Sequence, residues 1–136
     1  DVFRLIDAAM NGNPAQVSRM LRGLRAEGVV VPALLGMLVK ELQRAAAIAR
    51  VQARGGNVNA EFKAQQIWDS RQAMYVRALA RHPAAHWQDF VAGIGRVDRI
   101  AKGRSRVGSE PQDAWLQLER LLLAVASPAA ARLMAP

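Results

Sequence analysis

With 136 residues, 51% apolar and 22% charged, the chain has the length and balance of one soluble globular domain, not of two. It has no cysteine and two histidines, which excludes disulfide scaffolds, thiolate catalysis and cysteine-based metal sites and disfavours zinc enzymes. No apolar run approaches the roughly 18 residues that span a bilayer. The formal net charge of +8 suits an anionic partner such as nucleic acid, and equally a basic solvated surface with no such partner.

Alanine, arginine and leucine dominate, all strong helix formers, and no stretch alternates apolar and polar residues for long, so the chain reads as an all-α bundle of five to seven helices. The first helix is predicted over about Val2–Met10, with Val2, Leu5, Ile6 and Ala9 on one face. Asn13 can cap a second helix whose first position suits Pro14, and Gly28 ends it after the stripe Val17, Met20, Leu21, Leu24. Val29–Val31 reads as an extended linker, because Pro32 disfavours helix at Val31. A long third helix follows from Pro32 to about Arg54, with Leu35, Leu38, Leu42, Ala45 and Ala49 inward.

Residues 59–66 suit a short helix, and another runs over about Asp69–Arg81 with Ala73, Val76 and Leu79 or Ala80 inward. The stripe Trp87, Phe90, Val91, Ile94, Val97, Ala101 predicts a helix from Ala84 to Lys102. After the polar stretch 103–112, the last helix is predicted from near Pro111 to Ala126 on Trp115, Leu118, Leu122 and Val125. Trp87, Phe90, Ile94, Trp115, Leu118 and Leu122 are expected in one core, with these two helices as its central pair. Residues 127–136, rich in Ala and Pro, read as a flexible tail. The chain starts at Asp1 inside a helical pattern, without an initiator Met or signal peptide, and so reads as a piece of a longer protein.

Catalytic signatures do not appear. The serines lack a nucleophile elbow, the carboxylates are scattered, and there is neither a P-loop nor a GxGxxG motif, so no catalytic residue and no cofactor are expected. His82 and His86 have metal-ligand spacing, but Pro83 intervenes and a helix-junction role fits them better. Gly93 and Gly95 fall inside a helix, where small residues let a neighbour approach. Asp98 and Lys102 form an i,i+4 pair. Arg19, Arg22 and Arg25 line the second helix beside its apolar stripe. Lys102, Arg104 and Arg106 sit in a Gly/Ser-rich segment that suits DNA-phosphate contact and equally an ordinary solvated loop. The aromatics Phe3, Phe62, Trp68, Tyr75, Trp87, Phe90 and Trp115 mostly sit at core-facing spacing.

Three stretches in succession carry a resemblance. They are Leu21-Arg22-Gly23-Leu24-Arg25-Ala26-Glu27-Gly28 with Pro32, Leu34-Leu35 and Lys40-Glu41-Leu42; Ile67-Trp68, Arg71, Tyr75 and Ala78-Leu79; and Asp98, Lys102-Gly103 and Trp115-Leu116-x-Leu118-Glu119-x-Leu121. In this order and spacing the chain resembles, over about residues 1–126, the C-terminal third of the delta subunits of bacterial DNA polymerase III. That resemblance implies a non-enzymatic collar (oligomerisation) domain over 1–126, contacting the gamma/tau and delta-prime subunits of a clamp loader in the bacterial cytoplasm, at the nucleoid. The sliding clamp would be reached only through an N-terminal part not present here. Some members of that family carry an aromatic before the last helix, whereas 103–112 here has none, so base stacking from that segment is not expected, and weak phosphate contact with primer-template DNA stays open beside the solvated-loop reading. A small basic helical nucleic-acid-binding domain is the alternative.

Overall fold

The computed structural model of the chain describes residues 1–104 and 113–134. Side-chain caps fix the helix starts. Asp1 accepts the amide of Arg4 at 3.0 Å and opens α1 (Val2–Met10). Asn13 accepts the amide of Gln16 at 3.1 Å and opens α2 (Pro14–Ala26), with Pro14 in the first turn. Gly28, at φ +87°, ends α2, and the Val29 amide turns back to the Leu24 carbonyl at 3.1 Å.

The linker differs from its sequence reading at one residue. Val31 is helical in conformation (φ −53°, ψ −46°), not extended, although Pro32 follows it. Two turn bonds, Ala33 to the Val30 carbonyl and Leu34 to the Val31 carbonyl, close over it, and its side chain is buried. Burial and turn closure thus outweigh the pre-proline preference.

α3 (Pro32–Ala53) is the longest helix. α4 (Val58–Ala64) starts on an Asn57 cap, α5 spans Asp69–Arg81 and α6 spans Ala84–Ala101. α7 (Ala114–Ala126) begins later than the expected Pro111, because the Asp113 carboxylate caps it by accepting the Leu116 amide at 3.1 Å. α8 (Pro128–Met134) lies where the composition reads as a fraying tail; Pro128 begins it and Ser127 Oγ meets the Ala130 amide at 3.5 Å. The fold is all-α, as the periodicity predicts, with eight helices and no strand among the described residues.

The core is continuous from α1 to α7. Its most extensive packing is α3 against α6, not α6 against α7 as the stripes suggest. Ala45, Ala46 and Ala49 of α3 are buried, and such small side chains allow a neighbouring helix to approach closely. α7 packs on α6 with Leu118, Leu121 and Leu122, and also meets α1 and α2. At Gly93 a Cβ would stand 3.0 Å from Leu121 Cδ1, whereas one at Gly95 would meet nothing within 4 Å; only the first glycine permits a close helix approach.

The inner face of α5 is rotated relative to the sequence reading. Met74, Tyr75, Ala78 and Leu79 are buried, while Ala73, Val76 and Ala80 are exposed. Three aromatics also depart from core expectations. Phe3 and Trp68 are exposed, and Trp115 is only half-buried against the core, with the Arg25 guanidinium 5.8 Å from its ring centre.

Candidate functional site

Two polar assemblies and a set of exposed side chains are the features from which function can be argued. The first assembly joins α1, α3 and α5. Glu41 on α3 is only 4% exposed, and a carboxylate so buried loses several kcal/mol of hydration unless it is paired. Its partners are the Tyr75 hydroxyl, which donates to Oε2, and Arg44, whose Nη1 lies 3.0 Å from Oε1. Arg71 Nη2 stands 3.9 Å from the same Oε2, and the guanidinium grips Asp7 of α1 with two bonds, Nη2 to Oδ1 at 2.9 Å and Nη1 to Oδ2 at 3.4 Å. Burial first, then the bond to Glu41, pushes the Tyr75 hydroxyl well above its ordinary pKa. The bond to Asp7 raises Arg71.

This is a clasp rather than a reaction centre. The carboxylate at its middle is sealed from solvent, and its two oxygens are taken by Tyr75 and Arg44. Glu41, Arg71 and Tyr75 all belong to the stretches that carry the family resemblance. A sequence signal for Glu41 existed: it stands three residues after Leu38 and beside Leu42, on the inward face of α3.

The second assembly sits where α5 ends. The Arg81 guanidinium donates to the carbonyls of Ala9 and Met10 at the end of α1 and to that of Val125 at the end of α7. Carbonyls at helix C-termini carry partial negative charge, so a cation is favoured there. His82 Nε2 meets the same Val125 carbonyl at 2.8 Å, and its ring is stacked edge-on to Trp87 and Phe90. Burial lowers the pKa of His82, with Arg81 and His86 adding to the effect against the Val125 bond. His82 is therefore a junction residue. Among the described residues no group of three or more His, Asp or Glu is placed to hold a metal.

The residues singled out for phosphate contact are placed as follows. Lys102 lies at the end of α6 and pairs with Asp98 at 2.9 Å, the i,i+4 contact read from the sequence. Arg104 is exposed just beyond it, its backbone amide bonded to the Arg99 carbonyl at 2.7 Å. Arg106 and most of 103–112 lie outside the described residues. Arg19, Arg22 and Arg25 are all exposed along α2, Arg19 bonded to Gln16.

Sequence reasoning missed Trp68. It precedes α5 and is 73% exposed, the most exposed large apolar side chain among the described residues. The bonds Arg71–Asp7 and Arg77–Asn11 set α1 and α5 parallel, so Phe3 and Trp68 both lie about one turn before the Asp7–Arg71 pair. An indole so placed offers a face to a base or to an apolar partner surface. No helix among the described residues is long and apolar enough to cross a membrane.

No protein-family model matches the chain. The chain is similar to DNA polymerase III subunit delta of Haemophilus influenzae, with 25% identity over 127 residues that cover 88% of this chain. It spans 36% of the length of that relative. The likeness thus runs through nearly all of the helical fold while leaving most of the relative uncovered, and over that span the chain is a distant homologue of the DNA polymerase III delta subunit.

Proposed function

We propose that residues 1–126 are the helical collar domain of a clamp-loader subunit of the delta type, a non-catalytic assembly module. It joins gamma/tau and delta-prime subunits so that a sliding clamp can be loaded on primed DNA, in the bacterial cytoplasm. The observation that carries this reading is the distant homology to a delta subunit along 88% of the chain. It is supported by the clasp Asp7–Arg71–Glu41–Tyr75, three of whose members, Glu41, Arg71 and Tyr75, lie in the stretches that carry the resemblance and tie α1, α3 and α5 together. Any DNA contact through Lys102, Arg104 and Arg106 is weak and unspecific in this reading, since Lys102 already has Asp98 as a partner.

Reconstitution tests it. The chain, mixed with bacterial gamma/tau and delta-prime subunits, should co-elute with them as one complex on size exclusion. A chain that never joins them overturns the proposal. The triple variant Lys102→Ala, Arg104→Ala, Arg106→Ala should still assemble, while the slope of log affinity for primed DNA against log salt becomes shallower by about 2.7, the value for three phosphates.

The second reading, a basic helical nucleic-acid-binding domain acting alone, is favoured by the exposed indole of Trp68. It requires duplex or single-stranded DNA binding by the chain at physiological salt without any loader subunit, lost in Trp68→Ala.

A further inference from the structure

A cleft of about 160 Å³ opens between α2 and the start of α7, lined by Leu21, Arg22 and Arg25 on one side and Trp115, Leu116 and Glu119 on the other. Its volume suits one bulky apolar side chain. Leu21 is buried and Trp115 is half-buried, whereas Leu116 is 40% exposed, an apolar group that the described residues leave uncovered. The charges around it are segregated. The α2 rim carries Arg22 and Arg25, with Arg19 three residues before them on the same helix, and none of the three has a carboxylate within ion-pair distance among the described residues. The α7 side carries Glu119 and Asp113, the latter accepting the Leu116 amide.

We infer that this cleft is a docking site for an acidic linear segment of a partner protein, with one apolar side chain seated between Trp115 and Leu116 and its carboxylates on the α2 arginines. Charge complementarity selects that occupant over a nucleic-acid strand. A strand carries a phosphate at every nucleotide and would set one against Glu119 or Asp113. A peptide places its few charges at chosen positions, so its carboxylates can lie along α2 alone while the apolar side chain faces α7. Arginine and tryptophan are also both enriched among the residues that carry most of the binding energy at protein interfaces. The inference goes beyond collar assembly and does not depend on it, since the site is complete within this one chain.

The test is fluorescence anisotropy with the 136-residue chain and a labelled probe peptide of aspartates around one phenylalanine. Binding should weaken by about tenfold in Arg22→Glu, in Arg25→Glu and in Leu116→Asp, each an exposed position where a cooperative melt should be unchanged. It should weaken similarly when the probe's phenylalanine becomes alanine, and stay unchanged in Lys102→Glu. Assembly with gamma/tau and delta-prime subunits is measured on the same variants, so that loss of peptide binding with assembly retained separates this site from the collar reading. A probe that binds equally well without its phenylalanine, or to Leu116→Asp, overturns the inference. So does a DNA oligonucleotide that displaces the probe and loses its own affinity in the same three variants.

Discussion

Replacing Gly93 by alanine sets two effects of opposite sign against each other. Alanine in the interior of α6 gains about 0.8–1 kcal/mol of helix propensity. The new methyl would stand 3.0 Å from Leu121 Cδ1 and 3.3 Å from Cδ2, closer than carbon atoms rest. Leu121 is buried on α7, so it can give way only by leaving its rotamer or by parting the two helices, at about 1–3 kcal/mol. The crowding should win, and Gly93→Ala should be destabilising by about 1 kcal/mol. Gly95→Ala, two residues on, meets nothing within 4 Å and should be stabilising by about 0.5–1 kcal/mol. Urea unfolding decides the matter through midpoints at constant m-value. A third variant makes the reasoning sharper. In a Leu121→Ala background, itself about 2–5 kcal/mol less stable, Gly93→Ala should change sign and stabilise. If Gly93→Ala stabilises the parent chain as much as Gly95→Ala does, Leu121 relaxes freely and the close approach of α6 and α7 has no energetic meaning.

Trp87→Ala should lower stability by about 3–5 kcal/mol, because its side chain is fully buried, while Trp68→Ala should leave the melting temperature unchanged because its indole stands in water. Tyr75 is held protonated against Glu41 with its pKa raised, so its contribution is complete below the ordinary tyrosine value of about 10 and is lost as pH rises beyond it. Stability measured between pH 8 and pH 12 should therefore decline, and Tyr75→Phe should flatten that decline. His82 runs the other way: its pKa is lowered by burial, so stability is full above about pH 6.5 and falls as acid protonates the unfolded chain first. His82→Gln should remove part of the slope between pH 6.5 and pH 5, and an unaltered slope would show that the junction tolerates an imidazolium.

Local chemistry made the helix ends legible. Asn13, Pro14 and Gly28 mark their boundaries by capping and backbone preference alone, and the structure follows them. What was not legible depends on residues distant in sequence. The inward face of α5 turns on Tyr75, whose hydroxyl finds Glu41 from 34 positions away, and so Ala73, Val76 and Ala80 are carried outward despite their apolar character. Val31 breaks the rule for residues before proline because its side chain fills the core beneath a turn. For function the limit was of the same kind. Periodicity places an aromatic on a helix face but not on the surface of the bundle, so Trp68 read as core and Arg22, Arg25 and Trp115 could not be seen as walls of one cleft.

The carbonyl hub at Arg81 has a consequence for biosynthesis. One guanidinium from the middle of the chain holds the end of α1 and the end of α7, which lie 71 and 44 positions away from it. While the chain is being made, α1, α3 and α5 can meet on the ribosome, but Arg81 reaches its last acceptor only after residue 125 has left the exit tunnel. Until then the guanidinium has the carbonyls of Ala9 and Met10 but not that of Val125, so this corner of the nascent bundle lacks one of its three bonds. Closure is a single late event that joins early and late segments together. Amides of α1 and α7 are accordingly expected to exchange with solvent as one unit, not as the frayed opening and closing helices their places in the chain would suggest.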